Sequence, residues 1–127
     1  MKLLTQEWVD KAEGDFVSAQ RELRARKNPN YDAACFHAQQ CAEKYLKARL
    51  QEANIAFSKT HDLVVLLDLV LPVEPLWAIY RSQLRDLTTA AVEFRYPGQA
   101  ADQDTARKTV VICKEIRRVV RYSLGLP

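Results

Sequence analysis

The sequence predicts an all-α fold, an antiparallel up-and-down bundle of about five helices, and three observations lead there. Apolar residues recur at three- and four-residue intervals in five successive stretches. Proline, asparagine or glycine punctuates the gaps between them. Only 3 glycines and 5 prolines occur in 127 residues, too few for a turn-rich β-sandwich or a disordered tract.

The first helix is expected over about 5–26. Trp8, Ala12, Asp15/Phe16, Ala19 and Leu23 mark its inner side, with Thr5 placed to cap its first turn. Glu22 and Arg26 stand one turn apart and can pair on the solvated side. Asn28-Pro29-Asn30 then stops the helix, because proline lacks a donor and restricts its neighbour. The second helix is expected over about 31–54. Its apolar side, Tyr31, Ala34/Cys35, Ala38, Cys41/Ala42, Tyr45 and Leu46, is built largely from small residues. Small side chains let another backbone come close, as a central or interfacial helix needs. A second copy of the chain is expected to dock on this face.

A link over 55–60 leads to a third helix, about 61–71, which Ser58 or Thr60 can cap. Leu63-Val64-Val65-Leu66-Leu67 alone also reads as a strand, but no partner strand is in sight, and Pro72 ends the segment. The fourth helix follows Glu74-Pro75, with proline suited to a first turn. Leu76, Ile79/Tyr80, Gln83/Leu84, Leu87 and Ala91 carry it to a break at Phe94-Arg95-Tyr96-Pro97-Gly98. The fifth starts at Asp102, which can cap it, and runs through Ala106, Thr109/Val110, Cys113, Ile116/Arg117 and Val120 to about Tyr122. No repeat or linker divides the chain, so one domain over 1–127 is expected.

Lys and Arg number 19 against 16 Asp and Glu, a net charge of +3. That mild excess permits a nucleic acid or an acidic partner and requires neither. Three cysteines, Cys35, Cys41 and Cys113, fit core packing in a reducing compartment better than a disulfide framework. The N-terminus turns polar at once, unlike a signal peptide. The most apolar stretch, 63–71, contains Asp68 and is far too short to span a membrane. A soluble, cytoplasmic protein without membrane contact is expected.

Chemistry-bearing residues are few. No zinc-ligand spacing, EF-hand loop or phosphate-cradling glycine loop occurs, so neither a metal nor a cofactor is expected. His37, Gln40 and Lys44 lie one turn apart, with Glu43 and Lys47 on an adjoining stripe. They form either a structural network or a ligand-binding strip, in which His37 alone could act as a base near neutral pH. His61 either fixes the loop before the third helix or contacts a ligand. Arg95-Tyr96, between Phe94 and Pro97, puts a guanidinium among aromatics at a rigid turn. It can hold a base or a phosphate, or tie the turn to Glu93 or a nearby helix end. Lys114, Arg117, Arg118 and Arg121 fall at three- and four-residue spacing, opposed only by Asp104 and Glu115 in their own helix. That stripe suits a phosphate backbone, and equally a solvated helix C-terminus.

Trp8 with Ala12 and Asp15, then His37-Ala38-Gln39-Gln40-Cys41-Ala42-Glu43-Lys44 with Lys47, Lys59-Thr60-His61-Asp62-Leu63 and Arg95-Tyr96-Pro97, together resemble the HEPN family (higher eukaryotes and prokaryotes nucleotide-binding domain). The resemblance runs over about 5–122. It implies an all-α bundle, usually dimeric, often paired with a minimal nucleotidyltransferase in toxin–antitoxin or related complexes. Many family members are metal-independent endoribonucleases whose site is an Arg, four to six residues and a His, assembled across a dimer. Arg95 looks like the motif arginine, but 100–102 are Ala-Ala-Asp, and no histidine follows His61. The favoured expectation is a dimeric module binding a nucleotide, RNA or a nucleotidyltransferase, without the family's Arg-His chemistry. The alternatives are an endoribonuclease using Arg95 with His37 or His61, and a purely structural assembly bundle.

Overall fold

Five α-helices, one short 3-10 segment and no strand make up the computed structural model, which describes residues 1–127. The all-α bundle expected from the periodicity is what the chain forms. α1 spans Leu3–Arg24 and α2 spans Tyr31–Glu52. Asn30 caps α2 by accepting the Ala33 N–H at 2.9 Å. Thr5 does not cap α1. The helix starts two residues earlier without a side-chain cap, and Thr5 is buried with its hydroxyl donating to Glu52 Oε1 at 2.9 Å. Arg26 lies beyond the end of α1 and forms no ion pair with Glu22. Glu52 also accepts the Lys2 N–H at 3.1 Å, so the start of α1 is pinned to the end of α2. The two helices therefore run antiparallel.

α2 is the central helix. Twelve of its 22 residues are buried, and it packs against α1, α3, α4 and α5. Its small residues Ala34, Ala38, Cys41, Ala42 and Ala48 are all 0 % exposed. The small-residue face is thus filled within one protomer, and the expected docking of a second copy there is corrected. Alanine and cysteine at these positions let the neighbouring helices approach closely and keep interior packing density. All three cysteines are free and buried.

The link over 53–62 turns back along α2, and Gln39 Nε2 donates to the His61 carbonyl at 2.9 Å. α3 (Leu63–Val70) is capped by Asp62, which accepts the Val64 N–H at 2.9 Å, rather than by Ser58 or Thr60. The Thr60 hydroxyl acts one step upstream, accepting the Asp62 N–H at 3.1 Å. The expected fourth helix is divided: a 3-10 segment, Pro75–Tyr80, precedes α4 (Arg81–Glu93). α5 (Gln103–Ser123) begins as expected, with Asp102 accepting the Thr105 N–H at 2.8 Å.

Tyr45, Leu46, Leu50, Leu63, Leu66, Leu67, Leu84, Leu87, Val110 and Val120 fill the main core. A small satellite, Ala34, Cys35 and Ala106, is covered by Leu23, Tyr31, Phe94 and Ala101. It fixes the 94–102 loop against the start of α2, where Asp32 also accepts the Ala101 N–H at 2.7 Å. No helix is long and apolar enough to cross a membrane.

Candidate functional site

The outward strip of α2 carries Phe36, His37, Gln40 and Lys44, since these positions fall opposite the buried alanines. α1 supplies the partner that organises the strip. Asp15 Oδ1 lies 2.8 Å from His37 Nδ1, and Asp15 Oδ2 accepts from Lys44 Nζ at 2.5 Å. The Asp15 side chain is only 11 % exposed, against 31 % for His37 and 22 % for Lys44. A carboxylate so nearly buried keeps its charge at least cost when both oxygens accept from cationic or ring donors, and here both do. Gln40 lies between His37 and Lys44 and donates Nε2 to Gln39 Oε1 at 2.8 Å.

Arg95 reaches the same strip from the loop after α4. Its guanidinium carbon lies 5.6 Å from the centre of the Phe36 ring, and the His37 ring packs edge-on to Phe36 at 5.2 Å. Phe36 therefore joins Arg95 to His37. Arg95 is exposed and meets no carboxylate; the alternative tie to Glu93 does not form. Tyr96 beside it is 64 % exposed.

His61 belongs to a different arrangement. Its Nδ1 lies 2.9 Å from Glu43 Oε1, although most of the ring faces solvent. Glu43 and Lys47 form a buried pair, 3 % and 7 % exposed, with Oε2 accepting from Lys47 Nζ at 3.1 Å. Gln39 donates to Glu43 at 3.2 Å, and the Lys47 ammonium stands over Trp8 and Phe57 at 5.5 and 5.9 Å. Three donors on Glu43 and two aromatic faces on Lys47 offset the desolvation of this pair. Gln39 links this network to Gln40, so His37 on α2 and His61 beside it are each backed by their own carboxylate.

The α5 stripe is divided by its partners. Arg117 holds Glu13 of α1 through two bonds, Nε to Oε2 at 2.8 Å and a terminal N–H to Oε1 at 2.7 Å. Tyr45 donates to Glu13 Oε2 at 2.6 Å, and Arg121 donates to the Tyr45 oxygen at 3.0 Å. The Arg117 guanidinium holds the Glu13 carboxyl below the usual range, against a smaller opposing effect of burial. The same contact raises Arg117, while burial and then the Glu13 bond push the Tyr45 hydroxyl up. Arg118 pairs with Glu115 at 2.5 Å, which leaves Lys114 as the unpaired cation of the four. Opposition therefore comes from α1 as well as from α5's own acids.

Asp15, Phe36 and Glu13 were not singled out as site residues from sequence. For Asp15 a signal existed: it stands in the apolar stripe of α1, between Ala12 and Phe16/Ala19. A concavity of 540 Å³ lies elsewhere, between Glu74–Trp77 and Arg118–Ser123. Its residues carry no organised set of ionisable groups beyond Glu74, which is held by Arg49 and Ser123. No group of three or more His, Cys, Asp or Glu side chains is placed to hold a metal ion.

No curated protein and no solved structure matches the chain. The HEPN domain model matches residues 5–123, and it takes in α1 through the end of α5 together with every element of the strip. On that match, the chain belongs to the HEPN domain family.

Proposed function

We propose that this HEPN domain is a cytoplasmic, homodimeric binding module that holds a nucleotide, an RNA segment or a nucleotidyltransferase partner. The contact strip is His37, Gln40, Lys44, Arg95 and Tyr96, with His61 at its flank. The observation that carries this reading is Arg95: an exposed guanidinium seated on Phe36, beside the His37–Asp15–Lys44 group, with no carboxylate of its own. An arginine kept for structure would be expected to meet an acid within the chain. Arginine flanked by exposed aromatics suits a phosphate together with a stacked base. On α5, nucleic-acid contact falls mainly to Lys114 and Arg118, because Arg117 and Arg121 are turned towards Glu13 and Tyr45.

The test is titration with mononucleotides and single-stranded RNA at rising salt. Binding should weaken as salt increases, and Arg95→Ala should abolish it with helicity unchanged. Full binding by Arg95→Ala would remove this reading. One observation favours a second reading, endoribonuclease action through Arg95 and His37: a carboxylate orients His37, and Phe36 brings it near Arg95. RNA degradation that survives His37→Ala would sink that reading. His61 is the weaker partner, since its ring nitrogen is engaged by the buried Glu43.

A further inference from the structure

We infer that Asp15 is a positioning residue that fixes His37 as a hydrogen-bond acceptor towards the ligand, so that the strip selects a phosphate ester carrying a neighbouring hydroxyl over one without it. This inference rests on the binding reading above and assigns a role to a residue outside that strip. A carboxylate only accepts, so His37 Nδ1, 2.8 Å from Asp15 Oδ1, must carry the ring proton. In the neutral ring Nε2 is then an acceptor, and no group of the protein bonds to it. The cations around it, Lys44 and Arg95, can only donate. The site thus offers two donor-only cations and one acceptor. Phosphoryl oxygens suit the cations, and a hydroxyl hydrogen suits Nε2. The 2′-hydroxyl beside the 3′-phosphate of a ribonucleotide supplies that donor, and the 2′-deoxy counterpart lacks it.

Lys44 makes the inference testable in an unusual way. It occupies Asp15 Oδ2 at 2.5 Å and needs an acceptor there. In Asp15→Asn the single carbonyl oxygen must serve Lys44, which turns the amide NH2 towards His37. Nδ1 is then forced to accept, and the ring proton moves to Nε2. Adding Lys44→Met frees the carbonyl and should restore the proton to Nδ1.

The experiment is nitrogen NMR of the His37 ring in mildly alkaline buffer, where an imidazole is ordinarily neutral, with adenosine 3′-monophosphate (AMP) and its 2′-deoxy counterpart titrated into the same samples. The wild type should show the Nδ1–H tautomer, and Asp15→Asn the Nε2–H tautomer, reverting in the double variant. The wild type should prefer AMP by about three- to tenfold, the worth of one hydrogen bond, and Asp15→Asn should lose that preference. A wild-type ring protonated at Nε2 overturns the positioning role without needing any variant to fold. So does a tautomer that ignores Asp15→Asn. Equal binding of the two nucleotides by the wild type overturns the acceptor role while leaving the binding reading intact. Failure to bind either one, with the tautomers as expected, removes the binding reading and the selectivity inferred from it.

Discussion

At the scale of single residues, the side chains that organise this protein are acids of α1 whose partners lie far away in sequence. Asp15 meets residues 22 and 29 positions on, and Glu13 meets Arg117 at a separation of 104. Local periodicity reads a helix face but not its distant partner. The histidine strip and the basic stripe could therefore be drawn from sequence while the pairing of each with its α1 carboxylate could not. Glu13 also gives a prediction about pH. Its folded value lies below the ordinary one, so its contribution to stability is present above the ordinary carboxylate range and is lost as pH falls through the depressed value. Glu13→Gln should lower stability by about 1–2 kcal/mol at neutral pH, a figure held down because the site is partly solvated. It should also flatten the acid limb of a urea-melt series taken against pH. An unchanged acid limb would show that Glu13 does not hold Arg117 in solution. The buried Glu43–Lys47 pair is more sensitive. Lys47→Met leaves a carboxylate with little access to water, and the denaturation midpoint should fall by an amount equivalent to about 3–5 kcal/mol.

At the scale of elements, the helices follow their apolar spacing closely, and the departures occur where local preference loses to tertiary contact. Thr5 is a competent cap, yet Glu52 at the end of α2 draws its hydroxyl inward, and α1 starts earlier. Asp62 caps α3 because the preceding link is anchored by His61 to Glu43 and Gln39, which fixes where the helix can begin. Periodicity alone did not separate the 3-10 turn at Pro75–Tyr80 from α4, since Leu76, Ile79 and Leu84 keep a helical spacing. Trp77, not Leu76 or Ile79, is the buried residue of that turn. The small-residue face of α2 was legible as a place of close approach, but whether the approaching helix is the chain's own is a tertiary question. It is answered by α1 and α5. Ala42→Leu forces a larger side chain into a filled interface and should cost about 1–3 kcal/mol. Because that face is internal, thermal melts should shift while the mass in solution stays unchanged. A variant that lost its oligomeric state and kept its melting temperature would contradict this placement.

At the scale of the whole molecule, α2 packs inward with small residues and presents a polar strip outward. α1 brings Asp15 to His37 and Lys44 of that strip, and the 94–102 loop brings Arg95 to Phe36. We place a nucleotide on this surface, with Lys114 and Arg118 of α5 left to the backbone of a longer RNA. An amide NMR titration with AMP tests it most directly. Shifts should concentrate in Asp15, 36–44 and 94–97, with α5 largely still. Shifts confined to 114–121, or none anywhere at millimolar ligand, would contradict it.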